Sequence, residues 1–177
     1  MKALLLIMPF AACLLGNCSK EVVLEGPRAV QAAAGFSPLS RAVVISHAVP
    51  FKGVFETTSV SLSGPPRQEQ RITGTGQASH VGKATFEAYS TVVLTQTPPY
   101  ALSGTSTMTA ANGDQLFSTF TGTSMPQADG KLLVTIRHII SGGTGRFDRA
   151  SGYYVGVTLA DRASPNATLH LEGEIAY

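Results

Sequence analysis

Apolar and polar residues alternate along most of this chain. From Phe51 onward, short runs with a period of two are punctuated by Gly, Pro, Asn and Asp, the pattern of half-buried strands joined by turns. The runs predict strands over Phe51–Leu62, Gln68–Ser79, Lys83–Leu94, Ala101–Ala110, Gln115–Thr123, Lys131–Ser141, Ala150–Ala160 and Thr168–Tyr177. Between the fourth and fifth stands Asn112-Gly113, which predicts a type I′ hairpin with positive φ at both residues. In the last run Leu169, Leu171, Ile175 and Tyr177 face one way, and Thr168, His170, Glu172 and Glu174 the other. No helix-period segment intervenes, and no period of 20–50 residues repeats, which excludes solenoids and propellers. The expected fold is all-β: an eight-stranded antiparallel up-and-down barrel whose last strand pairs with its first, with a β-sandwich as the alternative. An interior of that size is either filled by side chains or holds one small ligand.

The first third of the chain breaks this pattern. Lys2 precedes an apolar run, Ala3–Leu15, which is too short to span a bilayer and reads as a leader. It ends in Leu15-Gly16-Asn17-Cys18-Ser19, which resembles the lipobox of bacterial lipoproteins, with Asn17 in place of the usual small residue. The resemblance implies cleavage before Cys18 and lipidation of its thiol and new amine, hence an exported protein of the bacterial envelope, periplasm- or surface-facing. Several acyl chains, at about 0.8 kcal/mol per buried methylene, make a stable anchor. The expected organisation is a signal peptide over 1–17, a breaker-rich tether over 18–49 and the barrel over 50–177.

A glycine cluster separates the sixth and seventh runs: Gly142-Gly143-Thr144-Gly145-Arg146-Phe147, followed by Ala150, Gly152 and Tyr153. As an anion loop it fails. No Lys-Ser/Thr pair and no helix follow it, and Asp148 stands where a dinucleotide fingerprint needs glycine. It predicts instead a sharp structural turn with Phe147 plugging one barrel end. The stretch also resembles the Gly-Gly-Thr-Gly-x-Phe-x-x-Ala-x-Gly-Tyr signature of plant dirigent proteins, which share an eight-stranded antiparallel barrel with allene oxide cyclases. That resemblance makes Gly142, Gly143, Thr144, Gly145, Phe147 and Gly152 a fold signature and implies a homotrimer. The charged residues that line dirigent cavities have no matching positions here, so the activity does not carry over with the turn.

Composition narrows the chemistry. Ser and Thr are abundant and the net charge is only +2, with Lys and Arg scattered singly, which argues against nucleic acid as a partner. The two cysteines, Cys13 and Cys18, both precede the strands, so the barrel has neither a disulfide nor a cysteine metal site. His47, His80, His138 and His170 form no ligand-spaced pair, so no metal and no other cofactor is expected. His138 shares a strand face with Leu132, Val134, Ile136 and Ile140; it is either a satisfied core histidine or a general base in the lumen. Glu56 and Glu87 lie mid-strand; outward they are merely solvated, inward they would be buried acids of the kind an isomerase uses.

Two ligand-based functions follow. The first is an envelope-anchored barrel that binds a small, mostly apolar molecule. The second is a cofactor-free cyclase or isomerase acting in the lumen through one inward Glu or His. A third class, a structural or interaction domain, requires a lumen packed solid.

Overall fold

A computed structural model describes residues 47–94 and 97–177. The leader, Cys18 and nearly all of the tether lie outside the described residues. Eight strands form: β1 (Val49–Ser61), β2 (Arg67–Ala78), β3 (Gly82–Val93), β4 (Tyr100–Ala110), β5 (Gln115–Pro126), β6 (Leu132–Gly143), β7 (Ser151–Ala160) and β8 (Asn166–Ala176). Each pairs antiparallel with its sequence neighbours, and β8 closes on β1 through Val49↔Ile175 to Thr58↔Asn166. The result is an up-and-down barrel and not a sandwich; closure leaves no unpaired strand edge.

Alternation builds the interior. On β1 the odd positions Phe51, Phe55 and Thr57 are buried while Lys52, Val54 and Glu56 are exposed. On β3 it is the even positions, Ala84, Phe86, Ala88, Ser90 and Val92, that are buried. β8 follows the expected split, with Leu169, Leu171 and Ile175 inside and His170, Glu172 and Glu174 outside.

The two ends of the barrel differ. At one end, Phe147 is 0% exposed and packs edge-on against Tyr177, with ring centroids 5.6 Å apart. Phe51, Met108, Leu116 and Ile175 fill the lumen beside it. This end carries the β2–β3, β4–β5 and β6–β7 connections. The opposite end, carrying β1–β2, β3–β4, β5–β6 and β7–β8, has no such plug.

The glycine cluster makes the plug. Gly142 and Gly143 belong to β6, two residues beyond the expected strand end, because a bulge opposite Phe117/Ser118 lets the strand continue. A single 3-10 turn over Gly145–Phe147 then drops the phenyl ring inward. Gly145 has φ +56 and lies against the Asp114 carboxylate, so any Cβ would overlap it. Arg146 reaches back, donating to the Val81 carbonyl at 3.0 Å and pairing with Asp114 at 3.7 Å.

The β4–β5 hairpin differs in detail from the expectation. Gly113 alone has positive φ, +90; its N–H bonds to the Ala110 carbonyl at 2.9 Å, and the Ala110 N–H bonds to Asp114. That is a type I turn closed by a left-handed glycine, which needs one such residue where type I′ needs two. Gln127–Lys131 repeats the arrangement with Gly130.

Candidate functional site

The unplugged half of the barrel is hollow. A cavity of about 600 Å³ opens at that end, within the usual range for small-molecule sites. Much of its wall is apolar: alternation turns Ile72, Phe86, Leu102, Phe120, Val134, Ile136 and Leu169 inward. Polar inward positions are interleaved with these, Ser59 opposite Ile72, Ser124 opposite Val134 and Thr158 opposite Leu169; Ser61, Gln68 and Gln70 also line the cavity, and the Asp161–Pro165 loop forms part of the rim. Two further depressions, around Glu56 to Glu87 and around Val54 to Ala111, are grooves on the outer wall.

His138 stands at the cavity floor. β6 turns it inward, where it is 1% exposed and lines the cavity. Its ring stacks on Tyr154 at 4.3 Å and 16°, and Phe120 lies 4.9 Å away on another side. Both neighbours are its cross-strand partners in register, Phe120 on β5 and Tyr154 on β7. Nδ1 lies 3.2 Å from Ser106 Oγ and 3.1 Å from Ser118 Oγ. The two serines are themselves cross-strand partners with hydroxyls 2.7 Å apart, and the Tyr154 hydroxyl is 2.9 Å from Ser118 and 3.4 Å from Ser106. Four polar groups are thus buried together with each one satisfied, as an apolar interior demands.

Burial sets the protonation of this network. Desolvation disfavours the imidazolium and pushes the His138 pKa down to about 3, so the ring is neutral at physiological pH. The same desolvation pushes the Tyr154 phenol up to about 12, against the smaller opposing effect of its serine hydrogen bonds. The two alternatives for His138 therefore merge. It is a hydrogen-bonded core residue at Nδ1 and a lumen residue at the same time, but not a base that takes a proton near neutral pH.

Glu56 and Glu87 do not join it. Both project from the outer wall, because Glu56 alternates with buried Phe55 and Thr57, and Glu87 with buried Phe86 and Ala88. Glu56 accepts a hydrogen bond from Thr168 at 3.1 Å. Glu87 accepts from Arg71 at 2.8 Å and from Tyr89 at 3.0 Å, and these bonds hold its carboxyl below the ordinary range. Neither reaches the lumen, so of the two alternatives it is the outward one that holds at both positions. Gly142, Gly143, Thr144, Gly145, Phe147 and Gly152 gather at the plugged end, remote from the cavity mouth; Thr144 Oγ1 accepts from the Gln115 N–H at 2.9 Å. Among the described residues, no group of three His, Cys, Asp or Glu side chains is placed to hold a metal ion.

Ser106, Ser118 and Tyr154 were not singled out from the sequence. Their signal was there: Ser106 interrupts the inward series Leu102, Met108, Ala110, and Ser118 falls between inward Leu116 and Phe120. A small polar residue on an apolar strand face asks for a buried partner.

Comparison with known proteins adds the fold's relatives. The barrel is similar to the structure of the pterocarpan synthase dirigent protein GePTS1, with a TM-score of 0.56 and 15% identity over 82% of this chain and 97% of that one. It is similar also to the pterocarpan synthase dirigent protein PsPTS1, with a TM-score of 0.51 and 15% identity over 74% of this chain and 96% of that one. No protein-family model matches the chain, and no curated protein sequence does. The glycine-cluster signature, the closed eight-strand order and these likenesses together establish that the chain folds as the eight-stranded barrel of the dirigent proteins.

Proposed function

We propose that the barrel is a binding domain for one small, mostly apolar molecule, held in its unplugged half. The observation that carries this is the cavity itself: about 600 Å³ of space between inward apolar side chains, in a barrel whose other half is filled. Contact with apolar surface drives entry at roughly 25 cal/mol per Å² removed from water. The serine, threonine and glutamine side chains among the apolar ones offer partners to a ligand's polar groups without any fixed charge deep in the wall.

Nile red, neutral and fluorescent in apolar surroundings, tests this. Wild-type protein is expected to bind one equivalent with enhanced, blue-shifted emission. Ile136→Trp, which puts an indole into the cavity, is expected to abolish the enhancement while leaving the circular dichroism of the barrel intact. Equal enhancement by the two proteins would place the dye elsewhere and refute the proposal.

A catalytic reading has one specific observation behind it, His138 at the cavity floor, and two solved dirigent proteins of similar fold are pterocarpan synthases. It would make the lumen a cofactor-free cyclase or isomerase site. A ring that stays neutral down to about pH 3 is poorly matched to proton abstraction near neutrality, which favours binding.

We propose further that Cys18 is lipidated and carries the domain on a bacterial envelope membrane, as the leader pattern suggests. Palmitate labelling that disappears in Cys18→Ala supports this; an unlabelled wild type contradicts it.

A further inference from the structure

We infer that the cavity selects an uncharged molecule bearing a hydroxyl or carbonyl group, which seats on Nε2 of His138, and that it discriminates against anions. The inference rests on the binding function proposed above and names the ligand class of that same site.

The ring is held by one nitrogen and leaves the other for a ligand. Nδ1 is taken by Ser106 and Ser118. No described residue forms a hydrogen bond with Nε2. Yet among the described residues no fully buried side-chain nitrogen or oxygen lacks a partner, so Nε2 keeps a small accessible surface on the lumen side, beside Gly156 and Leu169, in the wall of the cavity that His138 lines. Stacking on Tyr154 and a tilted contact with Phe120 fix the ring plane, so the free nitrogen has a defined direction.

The hydroxyls behind the ring accommodate either tautomer. With the proton on Nε2, Ser118 donates to Nδ1 and Tyr154 donates to Ser118; Nε2 then offers a donor to a carbonyl oxygen. With the proton on Nδ1, the ring donates to Ser106, Ser106 to Ser118 and Ser118 to Tyr154; Nε2 then accepts from a hydroxyl. Every hydroxyl keeps a partner in both arrangements, so the choice is left to the ligand.

Charge is what the site does not accommodate. Around the floor stand Phe86, Phe120 and Leu169, and the charged side chains of the cavity, Asp161 and Arg162, belong to the rim loop. An anionic group carried to His138 would lose its hydration and meet no cation there.

Naphthalene, 2-naphthol and 2-naphthalenesulfonate share one ring system and differ in the head group. The chain contains no Trp, so their fluorescence is free of the usual protein background. Wild type is expected to bind 2-naphthol tightest and the sulfonate weakest. In His138→Phe the affinity ratio of 2-naphthol to naphthalene should fall about fivefold, the worth of one net hydrogen bond. The variant keeps a ring between Tyr154 and Phe120, and its serines retain each other and Tyr154 as partners. An unchanged ratio, or sulfonate binding at least as tight as 2-naphthol, overturns the inference while leaving the binding function standing. No binding of any of the three overturns that function and this inference with it. The wild type alone gives a second test, independent of whether the variant folds. The ¹⁵N resonance of His138 Nε2 should move on adding 2-naphthol and stay put with naphthalene; no movement with 2-naphthol is equally fatal.

Discussion

His138 links the stability of the molecule to pH. Unfolded, its ring titrates near 6.5; folded, burial lowers the pKa to about 3. Between these values the unfolded chain binds a proton that the folded chain refuses, so the contribution is fully present above pH 6.5 and is lost as pH falls toward 3. The slope from this residue approaches about 1.4 kcal/mol per pH unit inside that window. Urea unfolding from pH 7 to pH 4 should show His138→Phe losing less stability on acidification than wild type. Parallel curves for the two proteins would mean that the ring is not buried neutral. At the alkaline side Tyr154 acts in the opposite sense, removing stability as pH rises from 10 toward 12, because the unfolded phenol ionises first.

Among the elements, the glycine cluster and the strand faces behave differently as objects of inference. The cluster was legible down to its plug, because glycines without phosphate-binding partners leave only a structural turn, and the one aromatic among them has nowhere to go but in. Phe147→Ala should therefore cost about 3–5 kcal/mol in chemical denaturation, the usual range for a fully buried phenyl. A cost below 1 kcal/mol would show that the barrel end is held by other contacts. Strand parity was equally legible: Glu56 lies between Phe55 and Thr57, and Glu87 between Phe86 and Ala88, so an outward position was the one consistent with those neighbours. Glu56→Gln and Glu87→Gln should leave Nile red affinity within twofold of wild type, and a loss of tenfold or more at either would mean that the outer wall contributes to binding. What parity does not contain is cross-strand meeting. Ser106, Ser118, His138 and Tyr154 converge from four strands, 12 to 48 residues apart, through a register that depends on barrel closure and on the bulge at Phe117/Ser118. No local pattern encodes that convergence, and so the network escaped the sequence while each of its faces did not. The β4–β5 turn shows the same limit on a smaller scale, since Asn112-Gly113 suits type I′ and the strands settle for a type I turn with one left-handed residue.

On the scale of the whole molecule, the closed barrel has one packed half and one hollow half. One half is packed around Phe51, Phe147 and Ile175, each 0% exposed. The other half keeps about 600 Å³ unfilled, with His138 at the boundary between them. A cavity of this size that opens at the barrel end has the form of a small-molecule site, and the proposed binding function rests on it. The likeness to pterocarpan synthase dirigent proteins, at 15% identity, shows the architecture alone. The measurement that bears most directly on the central claim is native mass spectrometry of the protein gently isolated from its own host. It is expected to carry one small molecule per barrel, released on collisional activation and missing from Ile136→Trp purified in parallel. Wild type and variant each at its own bare protein mass, with neither taking up an added neutral naphthol, would contradict it.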